Sequence, residues 1–168
     1  MNPRQEIERL KAAVVTVSDS CSRGEREDLS GPAVARLLEQ HDFQVVAQTT
    51  VPDETVAIQN ALIRLAQRAQ AVVTTGGTGI SARDVTPDAT RAVCERLLDG
   101  VPERMRSEGA KKTTFAALSR GVCGVRGRAV ILNLPGSPRG AVESLEAVIK
   151  LLPHIVQLLS GKTEHEPA

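Results

Sequence analysis

Short apolar runs alternate with amphipathic segments along this chain. Residues 11–18, KAAVVTVS, are almost continuous in apolar and β-branched side chains, which predicts a buried strand. The same kind of run predicts strands at Phe43–Val51, Ala71–Thr75 and Ala129–Asn133. The pattern therefore predicts four strands, each followed by a longer polar or amphipathic segment.

Apolar residues at helical spacing fill most of the segments between these strands. Ser30 is a candidate N-cap, and Thr86 and Pro87 fit the N-cap and first position of a later helix. A polar helical segment is expected near Glu103–Lys111, and Pro153 is expected to kink the last helix or to begin a new turn. The predicted buried faces are Val34, Leu37 and Leu38; Ile58, Leu62, Leu65 and Ala66; Ala89, Val93 and Leu97; and Ala141, Leu145, Val148 and Leu152.

Alternation of strands and helices predicts a single α/β domain, with a mostly parallel sheet between two layers of helices. We expect this domain to span residues 8–162, with flexible termini at 1–7 and 163–168. Ligands of such sheets bind beyond the carboxyl ends of the strands. Three loops follow predicted strands, at Ser18–Leu29, Thr75–Val85 and Leu134–Pro138, and we expect them to converge on one site.

Composition narrows the function classes. The 168 residues include 21 basic and 20 acidic side chains, a net charge of +1, which gives no support to binding of nucleic acid or membrane surfaces. The start, MNPRQEIERLK, is too charged for a signal peptide, and no apolar run approaches the roughly 20 residues that cross a bilayer. We therefore expect a cytoplasmic protein. Cys21, Cys94 and Cys123 lack metal-ligand spacing.

The most distinctive segment is TTGGTGISARDVTPDAT, from Thr74 to Thr90. In it a glycine-rich turn connects an apolar strand to a helix start. Glycines let the backbone approach an anion, backbone N–H groups donate to its oxygens, and the helix dipole adds positive potential. The segment therefore predicts a phosphate-binding loop.

Two better-known nucleotide motifs fit this loop poorly. It lacks the lysine and the Ser or Thr of a P-loop. Gly77, Gly79 and Ala82 match the GxGxxA dinucleotide fingerprint, but the predicted helix begins only near Thr86 and no strand with an acidic residue follows. A dehydrogenase and a tight turn without a ligand stay open as alternatives.

Two aspartates and a group of arginines have both structural and functional interpretations. Asp53 fits an N-cap, and Asp84 fits a surface pair with Arg83 or Arg91. Alternatively, the two carboxylates hold Mg²⁺, which prefers oxygen ligands and bridges substrate phosphates. The following basic side chains are either solvated surface or a site for an anionic group: Arg120, Arg126, Arg128 and Arg139.

Five segments in order resemble the molybdopterin adenylyltransferase family, which comprises MogA/MoaB-type proteins and gephyrin-like G domains. They are VTVSDSCSRGEREDLSGP, VPDE, TTGGTGISARDVTPDAT, LSRGVCGVRG and NLPGSPRG, within residues 14–140. The resemblance implies a three-layer α/β fold, usually a homotrimer. It implies transfer of an adenylyl group from Mg-ATP to the terminal phosphate of molybdopterin, with release of pyrophosphate. A separate molybdate-inserting protein or domain would take the product.

The resemblance also implies roles for individual residues. Asp53 and Asp84 match the family's essential aspartates, which would position Mg²⁺ against the triphosphate. The other implied contacts are Gly76, Gly77, Thr78 and Gly79 in the phosphate loop; Pro135, Gly136 and Ser137 in the nucleotide-side loop; and Ser18 and Asp19 in the first-strand loop. Pterin contacts are not transferred to Ser107–Thr114, because this segment departs from the family pattern. A non-catalytic molybdopterin carrier is the alternative function.

Overall fold

A computed structural model of the protein describes residues 9–161, and the expected flexible termini lie outside this range. These residues form six strands and seven α-helices, together with one 3₁₀ helix at Thr114–Leu118. The strands are β1 Leu10–Val17, β2 Phe43–Val51, β3 Ala71–Thr75, β4 Arg96–Leu97, β5 Cys123–Arg126 and β6 Ala129–Leu134. The helices are α1 Asp19–Ser22, α2 Ser30–Gln40, α3 Thr55–Ala66, α4 Thr86–Val93, α5 Gly100–Ala110, α6 Pro138–Glu146 and α7 Leu151–Leu159.

The strands form one sheet in the order β2-β1-β3-β6-β5-β4. The first four are parallel, and β5 pairs antiparallel with both β6 and β4. The chain turns from β1 to β2 on one side and then crosses to β3 on the other, so the strand order switches between β1 and β3. Ligand sites of open parallel sheets lie at such a switch point, outside the carboxyl ends of the strands.

Side chains of the central strands alternate between two apolar layers because successive residues of a strand point to opposite faces. Along β1, Ala12 and Val14 join the core beneath α2, α6 and α7, whereas Ala13 and Val15 join the core beneath α3 and α4. The strand is therefore buried on both faces, which explains why its sequence is nearly continuous in apolar residues. The three-layer α/β/α architecture and the mostly parallel sheet expected from the sequence are confirmed.

The region after α4 differs from the sequence-based expectation. We expected Leu97 on the apolar face of the helix that contains Val93, but the helix ends at Val93 and Leu97 lies in β4. Cys94 has an extended backbone, and Arg96 pairs with Val125 of β5. Two short strands at this edge, β4 and β5, were not predicted, because two to four residues carry too little pattern to identify a strand.

The last predicted helix is two helices. The first ends at Glu146, and the second begins at Leu151 after a turn. Pro153 lies in the first turn of the second helix, where its missing N–H has no intrahelical partner to lose. The expectation that Pro153 begins a new turn is therefore confirmed. Among residues 9–161, no helix is long and apolar enough to cross a membrane.

Candidate active site

Four strand ends surround a cavity of about 420 Å³ at the switch point of the sheet. The loops after β1, β2, β3 and β6 all contribute to its wall, as expected for the carboxyl edge of a parallel sheet. Its wall includes Ser18, Asp53, Gly76, Gly77, Asp84 and Gly136. The convergence predicted for the loops after these strands is therefore observed.

The glycine loop takes a backbone conformation that other residues avoid. Gly76 and Gly77 have φ values of 96° and 66°. A Cβ on Gly76 would lie 2.3 Å from the carbonyl oxygen of Val17, and one on Gly77 would lie 2.3 Å from Thr86 Oγ1. Both positions therefore need glycine for conformational and for steric reasons.

Thr86 anchors this loop to α4. Its hydroxyl donates to the carbonyl oxygen of Gly76 at 2.9 Å, and its backbone N–H donates to the carbonyl oxygen of Gly77 at 3.2 Å. We expected Thr86 as the N-cap, but it is the first residue of the helix and its side chain points back to the loop. The sequence pattern identified the helix start correctly and missed this second role of Thr86.

Asp53 faces the cavity and does not cap α3. The helix begins at Thr55 and has no side-chain cap hydrogen bond, so the capping interpretation is wrong. Instead Asp53 Oδ2 accepts the backbone N–H of Asp19 at 3.0 Å, and the N–H of Asp53 donates to Asp19 Oδ1 at 2.9 Å. Burial raises the pKa of the Asp53 carboxyl above its ordinary value, and the negative charge of nearby Asp84 raises this pKa further.

Asp84 stands at the far end of the same loop. Its Oδ2 accepts the backbone N–H of Ser81 at 2.9 Å and lies 2.8 Å from the position that a Cβ on Gly79 would take. Neither surface pair that the sequence suggested is formed, because Arg83 pairs with Asp19 and Arg91 pairs with Asp88. The carboxylate of Asp84 is therefore not neutralised by either arginine.

The loop after β6 lies in contact with the glycine loop. A Cβ on Gly136 would lie 3.3 Å from the Cα of Gly76, so the two backbones approach closely. Ser137 caps α6, because its hydroxyl oxygen accepts the backbone N–H of Gly140 at 3.1 Å. This places the N-terminal end of α6 beside the small cavity, where its dipole favours an anion.

A second, larger cavity of about 870 Å³ lies on the other side of the glycine loop. Thr78, Gly79 and Pro135 line this larger cavity and not the smaller one, whereas Ser137 lines both. Its remaining wall comes mainly from α5, α6 and the 3₁₀ helix, and it includes Met105 and Phe115. The predicted site residues are therefore divided between two adjacent cavities that share one wall.

Asp19 lines neither cavity and stands behind Asp53. It forms an ion pair with Arg83 in addition to its two hydrogen bonds with Asp53. Ser18 caps the short helix α1 by accepting the N–H of Cys21 at 3.2 Å. Of the two first-strand loop residues that the resemblance suggested, Ser18 therefore reaches the cavity and Asp19 supports it.

Three of the four predicted arginines have partners among residues 9–161. Arg126 donates to the carbonyl oxygen of Val93 at 2.8 Å, and Arg139 pairs with Glu143 at 2.9 Å. Arg120 donates to backbone oxygens of the glycine loop. These contacts favour neither of the two sequence-based interpretations, solvated surface or an anion site.

Asn133 is a further polar residue that sequence reasoning passed over. It is buried in β6, where its amide nitrogen donates to Thr74 Oγ1 at 3.0 Å and to Thr90 Oγ1 at 2.9 Å. Its Oδ1 accepts the backbone N–H of Val122 at 3.2 Å. A polar amide inside an apolar strand was the signal for this network, which ties β3, α4 and β6 together below the glycine loop.

The chain is similar to known proteins over most of its length. Residues 13–154 match the family described as "Probable molybdopterin binding domain". A Helicobacter pylori strain J99 protein named "Molybdopterin adenylyltransferase" is 38% identical, over 92% of this chain and 90% of that protein. A protein of the same name from Escherichia coli K12 is 37% identical, over 90% and 86% of the two chains.

Solved structures agree with the sequence matches. The crystal structure of the molybdopterin biosynthesis enzyme MoaB from Thermus thermophilus aligns with a TM-score of 0.85 and 49% identity. The alignment covers 91% of this chain and 98% of that one. Because the family match covers most of the chain and includes every loop of the two cavities, this chain belongs to the molybdopterin-binding domain family that contains the MogA/MoaB-type proteins.

Proposed function

We propose that this protein is a molybdopterin adenylyltransferase, which transfers AMP from Mg-ATP to the terminal phosphate of molybdopterin and releases pyrophosphate. The observation that carries the proposal is the position of Asp53 and Asp84 beside one glycine loop, at a cavity formed by four strand ends. The names of the Helicobacter pylori and Escherichia coli relatives support this reaction.

The donor set of the small cavity suits Mg²⁺. Each of the two aspartates uses one carboxylate oxygen, Oδ2, for a backbone N–H, and among residues 9–161 no donor contacts either Oδ1. The described residues contain no cluster of three acidic, His or Cys side chains around a cation position. Mg²⁺ commonly binds to one or two carboxylates and takes its other ligands from water and phosphate. Bound there, it would neutralise charge that develops on the phosphate oxygens.

The glycine loop and the end of α6 would hold the triphosphate. At Gly76 and Gly77 the absence of side chains exposes the backbone to an anion, and the α6 dipole adds positive potential. This arrangement would position the triphosphate and stabilise the charge on its oxygens. Phosphoryl and nucleotidyl transfer require mainly these two contributions from a protein.

The larger cavity would receive molybdopterin. Its wall combines apolar side chains such as Met105 and Phe115 with the backbone of Thr78 and Gly79. A terminal phosphate bound in this cavity would meet the small cavity at Ser137, which lines both. An oxygen of this phosphate would bond to the α-phosphorus of ATP as the bond from this phosphorus to the β-phosphate oxygen breaks. The electron pair of the broken bond leaves with pyrophosphate, so no covalent enzyme intermediate is required.

Molybdopterin binding without catalysis is the second candidate function. The description of the matching family names molybdopterin binding, which is common to the enzyme and to this carrier. Against it, a protein that only carries molybdopterin has no need for two aspartates beside a phosphate loop. The two functions differ in one product, adenylylated molybdopterin.

The test is incubation of the purified protein with Mg-ATP and freshly prepared molybdopterin, followed by mass analysis of the products. Wild-type protein should form adenylylated molybdopterin and pyrophosphate, and Asp84→Asn should form almost none. Asp99→Asn is the matched control, because Asp99 is exposed and its side chain makes no cap hydrogen bond. Molybdopterin binding by a wild-type protein that forms no product would establish the carrier function instead.

The resemblance further implies a homotrimer and a molybdate-inserting partner that takes the product. Sedimentation velocity tests the assembly, with the mass of three chains as the expected result. A sample that sediments as a single chain at micromolar concentration would contradict it.

A further inference from the structure

Arg120 connects the segment between the 3₁₀ helix and β5 to both ends of the glycine-loop segment. Its backbone N–H donates to the carbonyl oxygen of Thr78 at 2.8 Å. Its Nη1 donates to the carbonyl oxygens of Asp84 at 3.1 Å and of Gly79 at 3.4 Å. Its Nη2 donates to Asp88 Oδ2 at 2.7 Å. The side chain therefore joins Gly79, the end of the loop at Asp84 and the first turn of α4.

Between these anchor points, the ion pair of Arg83 with Asp19 is the other polar side-chain contact that residues 80–83 make with the rest of the described chain, and the Arg83 side chain is 67% exposed. Ile80 is 73% exposed, and residues 81–83 are exposed as well. Inside the segment, Ser81 and Asp84 exchange two hydrogen bonds of 2.9 Å each, which fix a local turn but not its position on the protein. The position of this turn relative to the sheet therefore depends on the Arg120 contacts and on the more exposed Arg83–Asp19 pair.

We propose that Arg120 is a positioning residue that holds Asp84 toward the phosphate cavity and fixes the wall between the two cavities. Thr78 and Gly79, at one end of its contacts, line the larger cavity, and Asp84, at the other end, lines the smaller one. The residue before it, Ser119, also lines the larger cavity. The catalytic part of this inference rests on the proposed function, whereas the structural part does not.

A lysine in place of Arg120 cannot make all of the hydrogen bonds that the guanidinium makes. The guanidinium is a planar fork that donates in fixed directions to several acceptors, whereas an ammonium is a compact charge on a flexible stem. In Arg120→Lys, the charge that faces Asp88 is kept, and the simultaneous contacts with the Gly79 and Asp84 carbonyls are lost. Residues that orient a metal-binding carboxylate typically change metal affinity or activity about 10- to 100-fold when replaced.

Three measurements on Arg120→Lys test the proposal. Amide hydrogen exchange should become faster in residues 79–85 and stay unchanged in β1 and β3. The Mg²⁺ concentration that gives half-maximal turnover at saturating ATP should rise about 10- to 100-fold. Binding of Mn²⁺ in the presence of a non-hydrolysable ATP analogue, followed by electron paramagnetic resonance, should weaken to a similar degree.

Arg126→Lys is the matched control. Arg126 also donates to a backbone carbonyl, that of Val93 at 2.8 Å, and it lines neither cavity. Arg126→Lys also replaces an arginine by a lysine, on the neighbouring strand β5. It therefore shows how the loss of an arginine hydrogen bond affects stability alone. In this variant, the Mg²⁺ concentration that gives half-maximal turnover and the rate of amide hydrogen exchange in residues 79–85 should equal those of the wild type.

The outcomes separate this inference from the proposed function. Faster exchange in residues 79–85 with a higher Mg²⁺ requirement, in Arg120→Lys only, supports it. An active wild type with unchanged exchange and metal requirement in Arg120→Lys overturns it. If wild-type protein forms no product, the proposed function is wrong, and the exchange measurement alone decides whether Arg120 positions the loop.

Discussion

Asp19 and Asp53 hold each other through two hydrogen bonds between backbone and carboxylate. The N–H of Asp19 donates to Asp53 Oδ2 at 3.0 Å, and the N–H of Asp53 donates to Asp19 Oδ1 at 2.9 Å. The pair joins the loops after the neighbouring parallel strands β1 and β2. It leaves Asp53 Oδ1 directed to the glycine loop, 3.3 Å from the position of a Cβ on Gly77. Asp19 thus fixes the carboxylate that we assign to Mg²⁺.

Asp19→Ala should reduce both stability and turnover. The N–H of Asp53 would lose its acceptor, which costs about 1–2 kcal/mol in the free energy of unfolding. Loss of the ion pair with Arg83, which is 67% exposed, adds little. Turnover should fall about 10- to 100-fold, because Asp53 is no longer oriented. Urea unfolding and steady-state assays measure the two effects.

Asp19→Asn is the control for this prediction. An asparagine keeps an oxygen that accepts the N–H of Asp53, so it should recover most of the stability and turnover lost in the alanine variant. Equal defects in the two variants would show that the charge of Asp19, and not its acceptor, is what the site requires.

Asp53→Asn should stabilise the protein while it abolishes turnover. Burial and the charge of Asp84 raise the pKa of Asp53 in the folded state, so the ionised carboxylate is unfavourable there. Asparagine keeps an acceptor for the N–H of Asp19 and removes this charge. If Asp53 is the Mg²⁺ ligand that we propose, its loss removes several kcal/mol of transition-state stabilisation, which lowers turnover at least about 100-fold.

The stability difference between Asp53→Asn and the wild type depends on pH, because folding raises the pKa of Asp53. Because the folded pKa is the higher one, protonation of Asp53 favours the folded state. That contribution is fully present below the unfolded pKa, ordinarily 3.8, and is lost as the pH rises through the folded pKa. The advantage of Asp53→Asn over wild type should therefore be largest at neutral pH and shrink toward pH 3. Thermal unfolding at several pH values checks this, and an advantage that grows on acidification would contradict it.

Gly77→Ala should be much more damaging than Gly127→Ala. Both glycines have positive φ, 66° and 56°, so both substitutions incur the left-handed penalty of about 1–2 kcal/mol. A Cβ on Gly127 meets nothing within 4 Å, whereas one on Gly77 would lie 2.3 Å from Thr86 Oγ1. To avoid this overlap, the Thr86 hydroxyl must leave Gly76, so the total cost at Gly77 should be about 3 kcal/mol.

Denaturant unfolding of the two glycine variants measures the difference in their free energies of unfolding. An ATP-binding titration measures how each substitution affects the affinity for Mg-ATP. Gly127→Ala should bind Mg-ATP as the wild type does. Gly77→Ala should bind at least about tenfold more weakly, which is about 1.4 kcal/mol or more. Equal stabilities would mean that Thr86 does not constrain the loop.

The three cysteines should differ in reactivity. Burial raises the pKa of Cys94 to about 11 and that of Cys123 to about 12, so at pH 8 both are almost entirely thiols. Cys21 is partly exposed and lines the small cavity. Iodoacetamide at pH 8 should therefore modify Cys21 first, and Mg-ATP should slow this modification. Peptide mass analysis identifies the site, and the Cys21→Ala variant should resist inactivation by the reagent.

The parts of the fold with long patterns could be predicted, and the parts set by tertiary contacts could not. Strands such as β1 and β3 are buried on both faces, and this leaves continuous apolar runs in the sequence. The split between α6 and α7 leaves no break in the apolar pattern, because both helices place their apolar residues against the same side of the sheet, and Pro153 is its one trace in the sequence. The edge strands β4 and β5 form because β6 offers a free edge, which is information outside their own residues.

The candidate site was predictable to a similar extent. Glycines and aspartates at strand ends indicated which loops meet at the small cavity, and binding of phosphate there stays a prediction. The same reasoning did not reveal that Thr86, Arg120 and Asn133 hold the loop from three directions. Threonine, arginine and asparagine occur in many environments, so only the contacts of the folded chain give them this role.

The strand order has a consequence for how the protein acquires its activity. Ser18, Asp53, Gly77 and Ser137 meet only when β1, β2, β3 and β6 are all paired in parallel. Parallel pairs join distant parts of the chain, and such non-local contacts form slowly. A refolding chain therefore lacks the complete nucleotide site until all four strands are paired, and no fragment that lacks one of these strands contains it.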